Sequence, residues 1–164
     1  MMDALRRIVR VLRVSDREAE RRHGISGAQL FVLQRLAERP SSTLGDLADR
    51  TSTHASSVSI VVSRLVTRGL VSRTSSSEDA RRREIALTPA GRRLLARAPR
   101  AVQASLIEAL EKLPSRALQE LSGTLGQVAA ATGPSGAVPP LFFEDRMAAP
   151  EPGRRRASVR PPRR

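Results

Sequence analysis

Helix punctuation constrains this chain more than any other feature of its sequence. Ser26-Gly27-Ala28-Gln29 opens a helix: the Ser26 hydroxyl is placed to accept from the amide three residues on, and Ile25 and Leu30 supply a hydrophobic staple. Thr43 opens a short helix with Asp46 at its third position, and Thr88-Pro89 opens a later one with proline at the first helical position. Gly69 stands where a left-handed residue ends a helix. Between these marks apolar residues recur at helical spacing. Leu5, Ile8, Val9 and Leu12 predict a helix over residues 3–22, and Leu30, Val32, Leu33 and Leu36 a second that stops before Pro40. Leu44, Leu47 and Ala48 predict a third, ended by Thr51-Ser52-Thr53, and Val58, Val61, Val62 and Leu65 a fourth over residues 54–68. The runs 70–73 and 84–87 alternate apolar residues around a polar loop that ends in Arg81-Arg82-Arg83, which predicts a hairpin. A fifth helix is expected from Pro89 to Leu113, kinked near residues 95–99 because Pro99 removes a backbone donor. A sixth starts at Pro114-Ser115, with Leu118, Leu121, Leu125 and Val128 spaced like a coiled-coil seam. The expected fold class is mainly α with a small β-hairpin.

Composition narrows the function. The 164 residues suit one domain. From Gly133 proline and glycine recur and helical periodicity stops, so residues 133–164 are expected to be a disordered tail rich in proline and arginine. Net charge is +13, from 29 basic and 16 acidic residues, and every basic residue but Lys112 is arginine. Residues 1–132 hold 22 of the basic and 13 of the acidic residues, so the part expected to fold is basic without its tail. Arginine forks match phosphate oxygens and guanine edges, which points to a polyanionic partner. Phe31, Phe142 and Phe143 are the only aromatic residues, which argues against modules that stack single-stranded bases. Without cysteine there is no disulfide, thiolate zinc site, cysteine nucleophile or thiol sensor. No long apolar run suggests a secretory signal or a membrane span. No metal-ligand spacing, Ser–His–acid motif or glycine-rich phosphate loop is present, so no cofactor, no metal and no enzymatic activity are expected.

Helix, short helix, polar turn, serine-rich helix and arginine-tipped hairpin is the order of a winged helix-turn-helix. Its second helix must pack one face on the core and offer the other to a major groove, through residues small enough for close approach. Candidates on that helix are Thr53, His54, Ser56, Ser57, Ser59, Ile60 and Ser63. Candidates in the wing and its flank are Arg73, Asp79, Arg81, Arg82 and Arg83, placed to reach further phosphates or the minor groove.

Residues 26–132 resemble the MarR family of winged-helix transcription regulators. The supporting text is residues 44–95, LGDLADRTSTHASSVSIVVSRLVTRGLVSRTSSSEDARRREIALTPAGRRLL. The strongest parts are Leu47-Ala48, Arg64-Leu65 with Gly69-Leu70-Val71 and Arg73, and Asp79-Ala80-Arg81 leading to Leu87-Thr88-Pro89-Ala90-Gly91. The resemblance implies a bacterial, cytoplasmic homodimer. Residues 1–25 and 89–132 would form the dimer helices and residues 26–88 the reading lobe. It implies a double-stranded, pseudo-palindromic operator, repression by occlusion, and release by a small phenolic or anionic effector. The family's reading positions fall on Ser56, Ser57, Ser59 and Ile60, its wing-tip arginine on Arg81, and its orienting aspartate on Asp79. Arg13, Arg17, His23 and Phe31 are the expected effector pocket. Two positions depart from the family: Ile60 stands where arginine is frequent, removing one bidentate base contact, and Ser63 stands where an acid is frequent. The rival reading is a non-sequence-specific nucleic-acid-binding or chromosome-organising protein, driven by charge alone.

Overall fold

Caps and apolar spacing translate directly into the helices of the computed structural model, which describes residues 1–39, 43–75, 83–132 and 141. Seven helices and one hairpin follow one another among these residues: α1 (Met2–His23), α2 (Gly27–Glu38), α3 (Leu44–Arg50), α4 (Ala55–Thr67), β1 (Val71–Ser75), β2 (Arg83–Leu87), α5 (Pro89–Leu95), α6 (Val102–Glu111) and α7 (Ser115–Thr132). Three hydroxyls cap as expected. The amides of Gln29, Asp46 and Gly91 donate to the side chains of Ser26, Thr43 and Thr88 at 3.1, 3.2 and 3.1 Å. Each such cap stabilises its helix by about 1 kcal/mol. Gly69 takes φ +66 after α4, a left-handed turn that a side chain would strain.

The core forms around α2, which buries seven consecutive residues, Gly27 to Leu33, and packs against α1, α3, α4, α5, α6 and β2. A helix enclosed on nearly all sides belongs at the centre of a fold. Val58, Val61, Val62 and Leu65 of α4 and Val71, Ile85 and Leu87 of the hairpin complete the same cluster. The hairpin is antiparallel, with Val71 opposite Leu87 and Ser75 opposite Arg83.

Asp16 joins α1 to this centre. It is buried, and its Oδ1 accepts from the Gly27 amide at 2.7 Å, at the start of α2. A carboxylate there meets both an orphan N–H and the positive end of a helix dipole.

Two expectations need correction. The single kinked helix from Pro89 to Leu113 is instead two helices, α5 and α6, with residues 96–101 between them. Pro99 cannot donate, and it turns the preceding residue away from helical geometry. Gln34 holds the break from outside: its Nε2 donates to the Pro99 carbonyl at 2.8 Å, and its Oε1 accepts from the Ala101 amide at 2.9 Å. The second correction concerns the tail. Leu141 is 4% exposed and belongs to the core cluster, so the segment after residue 132 contributes an apolar side chain to the fold. The rest of 133–164 lies outside the described residues.

Candidate nucleic-acid interface

α4 is positioned by the turn before it and the strand after it. Thr51 ends α3 with its hydroxyl donating to the carbonyls of Leu47 and Ala48 at 2.7 and 3.2 Å. Ser52 takes a positive φ of 50, which reverses the chain sharply. The Thr53 amide then donates to the Ala48 carbonyl at 3.0 Å, and the His54 carbonyl accepts from Val58 at 3.1 Å to start α4. His54 is exposed and Thr53 half-buried.

With Val58, Val61, Val62 and Leu65 fully buried, the opposite face of α4 must point outward. Ser56, Ile60, Ser63 and Thr67 lie on it, all exposed, with Ser59 half-buried at its edge. Ser57 does not join them. It is 4% exposed and engaged internally, because its position places it beside the Val58 and Val61 stripe. Thr67 was missed by the sequence reading, although its spacing of four from Ser63 puts it on the same face.

The hairpin is fastened to this helix. Arg73 on β1 donates from Nη2 to the Ser63 Oγ at 3.2 Å, and the Ser63 hydroxyl donates to the Ser59 carbonyl at 2.8 Å. Arg73 and Ser63, both expected to meet a ligand, therefore also hold β1 against α4. The strand-end residue Arg83 pairs through its backbone with Ser75. Asp79, Arg81 and Arg82 lie outside the described residues.

The four residues expected to line an effector pocket are not brought together. Arg13 and Arg17 border an open groove of about 630 Å³ along α1, with Leu5, Arg6, Val9, Arg10 and Val14. Phe31 is 1% exposed in the core, with the Arg35 guanidinium 5.0 Å from its ring centre. It sits on the enclosed face of α2 and cannot line that groove. His23 is half-buried at the end of α1, and its Nε2 has no hydrogen-bond partner among the described residues.

Chemically, the assembly is a protruding helix with small polar side chains beside a hairpin. Its dimensions suit a major groove about 12 Å wide. Among the described residues no three His, Cys, Asp or Glu side chains group to hold a metal ion. No helix among them is long and apolar enough to cross a membrane.

Residues 23–82, which contain α2, α3, the turn, α4 and β1, match the model of the MarR family. Over this stretch, 60 of the 164 residues, the chain is similar to the MarR family. A stretch of 74 residues is 32% identical to the HTH-type transcriptional repressor MdtR of Bacillus subtilis (strain 168), covering 45% of this chain and 48% of that protein. The match thus spans about half the length of this curated MarR-type relative. Among solved structures, the MarR family regulator Sco3205 of Streptomyces coelicolor, determined in complex with DNA, is 26% identical. That alignment covers 85% of this chain and 91% of Sco3205, with a TM-score of 0.55. A probable transcriptional regulator from Pseudomonas aeruginosa is 27% identical over 79% of this chain and 96% of its own, with a TM-score of 0.53. These MarR-family and structural relatives are transcriptional regulators, not enzymes.

Proposed function

We propose that this chain is a sequence-specific, double-stranded DNA-binding regulator that acts as a homodimeric repressor on a pseudo-palindromic operator. The observation that carries the reading is the outward face of α4: Ser56, Ile60, Ser63 and Thr67 stand on a helix whose other side is locked into the core. Such a helix can enter a major groove without unfolding anything. Thr53 and His54 at its start are placed for phosphates, where orphan amides favour an anion. Arg81, Arg82 and Arg83, which follow β1 in the sequence, would supply further cationic contacts, and a net charge of +13 supplies long-range attraction. The solved complex of Sco3205 with DNA supports extending this reading from relative to chain.

Dimerisation is argued from faces that one copy leaves bare. α7 runs for 18 residues and buries none of them. Leu118, Leu125 and Val128 on α7, with Leu5, Ile8 and Val11 on α1, are exposed at helical spacing. A second copy covering these seams gives two α4 helices related by a two-fold axis, with half-sites about one helical turn apart. Repression then follows from occupancy of a promoter. An anionic or phenolic effector is part of the same reading, supported by the arginine-bordered groove of α1 with Arg13 and Arg17. It would release DNA only through different affinities for two spacings of the dimer.

The test is selection of bound duplexes from a random pool by the full chain. A two-fold symmetric consensus supports the regulator. Recovery of unbiased sequence supports the rival, charge-driven binder, and overturns the proposal.

A further inference from the structure

We propose that Ile60 sets the base preference of this interface by packing on the C5-methyl group of thymine in each half-site. This rests on the DNA-binding assignment above and adds what α4 reads.

Position comes first. Ser56, Ile60, Ser63 and Thr67 follow one another at spacings of four, three and four, which puts them in one row along the outward side of α4. Ile60 lies inside that row and is 50% exposed, whereas Val58, Val61, Val62 and Leu65 are fully enclosed. Single exposed apolar residues are common on protein surfaces. This one occupies the middle of the surface that approaches the ligand.

The chemistry of its neighbours comes second. No arginine, lysine, asparagine or glutamine stands in the outward row, so it has no fork for guanine O6 and N7 or adenine N6 and N7. It has no carboxylate to accept from cytosine N4. Arg64, on the last turn, is half-buried and already engaged. Two of the row's hydroxyls donate inward: Ser63 to the Ser59 carbonyl at 2.8 Å and Thr67 to the Ser63 carbonyl at 3.1 Å. Ser63 also accepts from Arg73. Hydrogen-bond readout from this row is therefore sparse. The major-groove edge offers one apolar group, the thymine methyl, and Ile60 is the largest apolar side chain on the outward face of α4.

The experiment uses the full chain and a duplex enriched by the selection described above. Each thymidine of a half-site, with its symmetry mate, is replaced by deoxyuridine. This removes the methyl group and keeps every hydrogen-bonding atom of the major and minor grooves. Binding is followed by fluorescence anisotropy. The expected result is one symmetric position at which the replacement weakens the wild type by about fourfold per half-site, the equivalent of one buried methyl group. Ile60→Ala should bind the thymidine and deoxyuridine duplexes alike at that position, and Ile60→Val should retain part of the difference. Ile60 is exposed and alanine favours helix, so both variants should fold, which urea unfolding checks. An enriched duplex that tolerates deoxyuridine everywhere, or an Ile60→Ala protein that still discriminates, overturns the proposal and leaves the DNA-binding assignment standing. Failure to enrich any duplex removes that assignment and this proposal with it.

Discussion

Gly91→Ala should destabilise the protein although alanine is the better helix former. Gly91 is buried on the first turn of α5, where its amide meets the Thr88 cap. A Cβ built on it would lie 2.2 Å from the Leu70 carbonyl oxygen and 3.2 Å from the Leu70 carbonyl carbon. Both atoms are backbone, so no side chain can rotate away, and the start of α5 must move from Leu70, the residue before β1, by about an ångström. The same Leu70 oxygen accepts from the Thr88 amide at 3.1 Å, and that bond stretches with the movement. Overpacking of this kind costs about 1–3 kcal/mol, and loss of the hydrogen bond about 1 more. The intrinsic preference of a helix for alanine over glycine returns about 1 kcal/mol. The net expectation is a loss of about 1–3 kcal/mol. Gly123→Ala is the matched control, because a Cβ there meets nothing within 4 Å and should stabilise by about 0.5–1 kcal/mol. Urea unfolding at one fixed protomer concentration reads both, with unchanged m values as the condition for comparison. A Gly91→Ala protein as stable as the wild type would refute the close approach of α5 to the Leu70 backbone that leads into the hairpin.

Three further outcomes follow from packing and exposure. Leu141→Ala should cost about 2–5 kcal/mol in the same urea assay, the range for truncating a buried leucine; an unchanged midpoint would remove Leu141 from the core. Asp16→Ala leaves the buried Gly27 amide without its charged acceptor and should cost about 2 kcal/mol, whereas a neutral effect would contradict the α1–α2 link. Leu125→Glu, at a site 52% exposed in one copy, should yield a folded monomer by light scattering if a second copy covers α7. A dimer that persists would place the interface elsewhere.

Local rules explain what the sequence revealed. The caps at Ser26, Thr43 and Thr88, the left-handed Gly69 and the α4 stripe are decided by neighbours within a turn or two, so they can be read from short windows. Ser56 and Ser63 of the outward row of α4 were legible for the same reason, whereas Thr67 was missed. Ser57 was misread because it lies at the border of the stripe. There a serine looks the same in sequence whether it faces solvent or the core. The break between α5 and α6 needed Gln34, 65 residues away from Pro99 along the chain, to satisfy the backbone that Pro99 frees. Leu141 was hidden by its surroundings: a segment rich in proline and glycine reads as unable to fold, yet one leucine can still be buried by a core built elsewhere. Phe31 was expected in an effector pocket, while the enclosure of α2 on nearly every side places it in the core.

The most direct test of the central claim, that the outward row of α4 reads base sequence, is a ratio of two dissociation constants. Anisotropy titrations at one fixed salt concentration should compare the enriched duplex with a shuffled duplex of identical composition. A base-reading protein predicts tighter binding to the enriched duplex by about a thousandfold or more. Equal affinity for the two would mean that the arginines hold DNA by its phosphates alone, and would contradict the account.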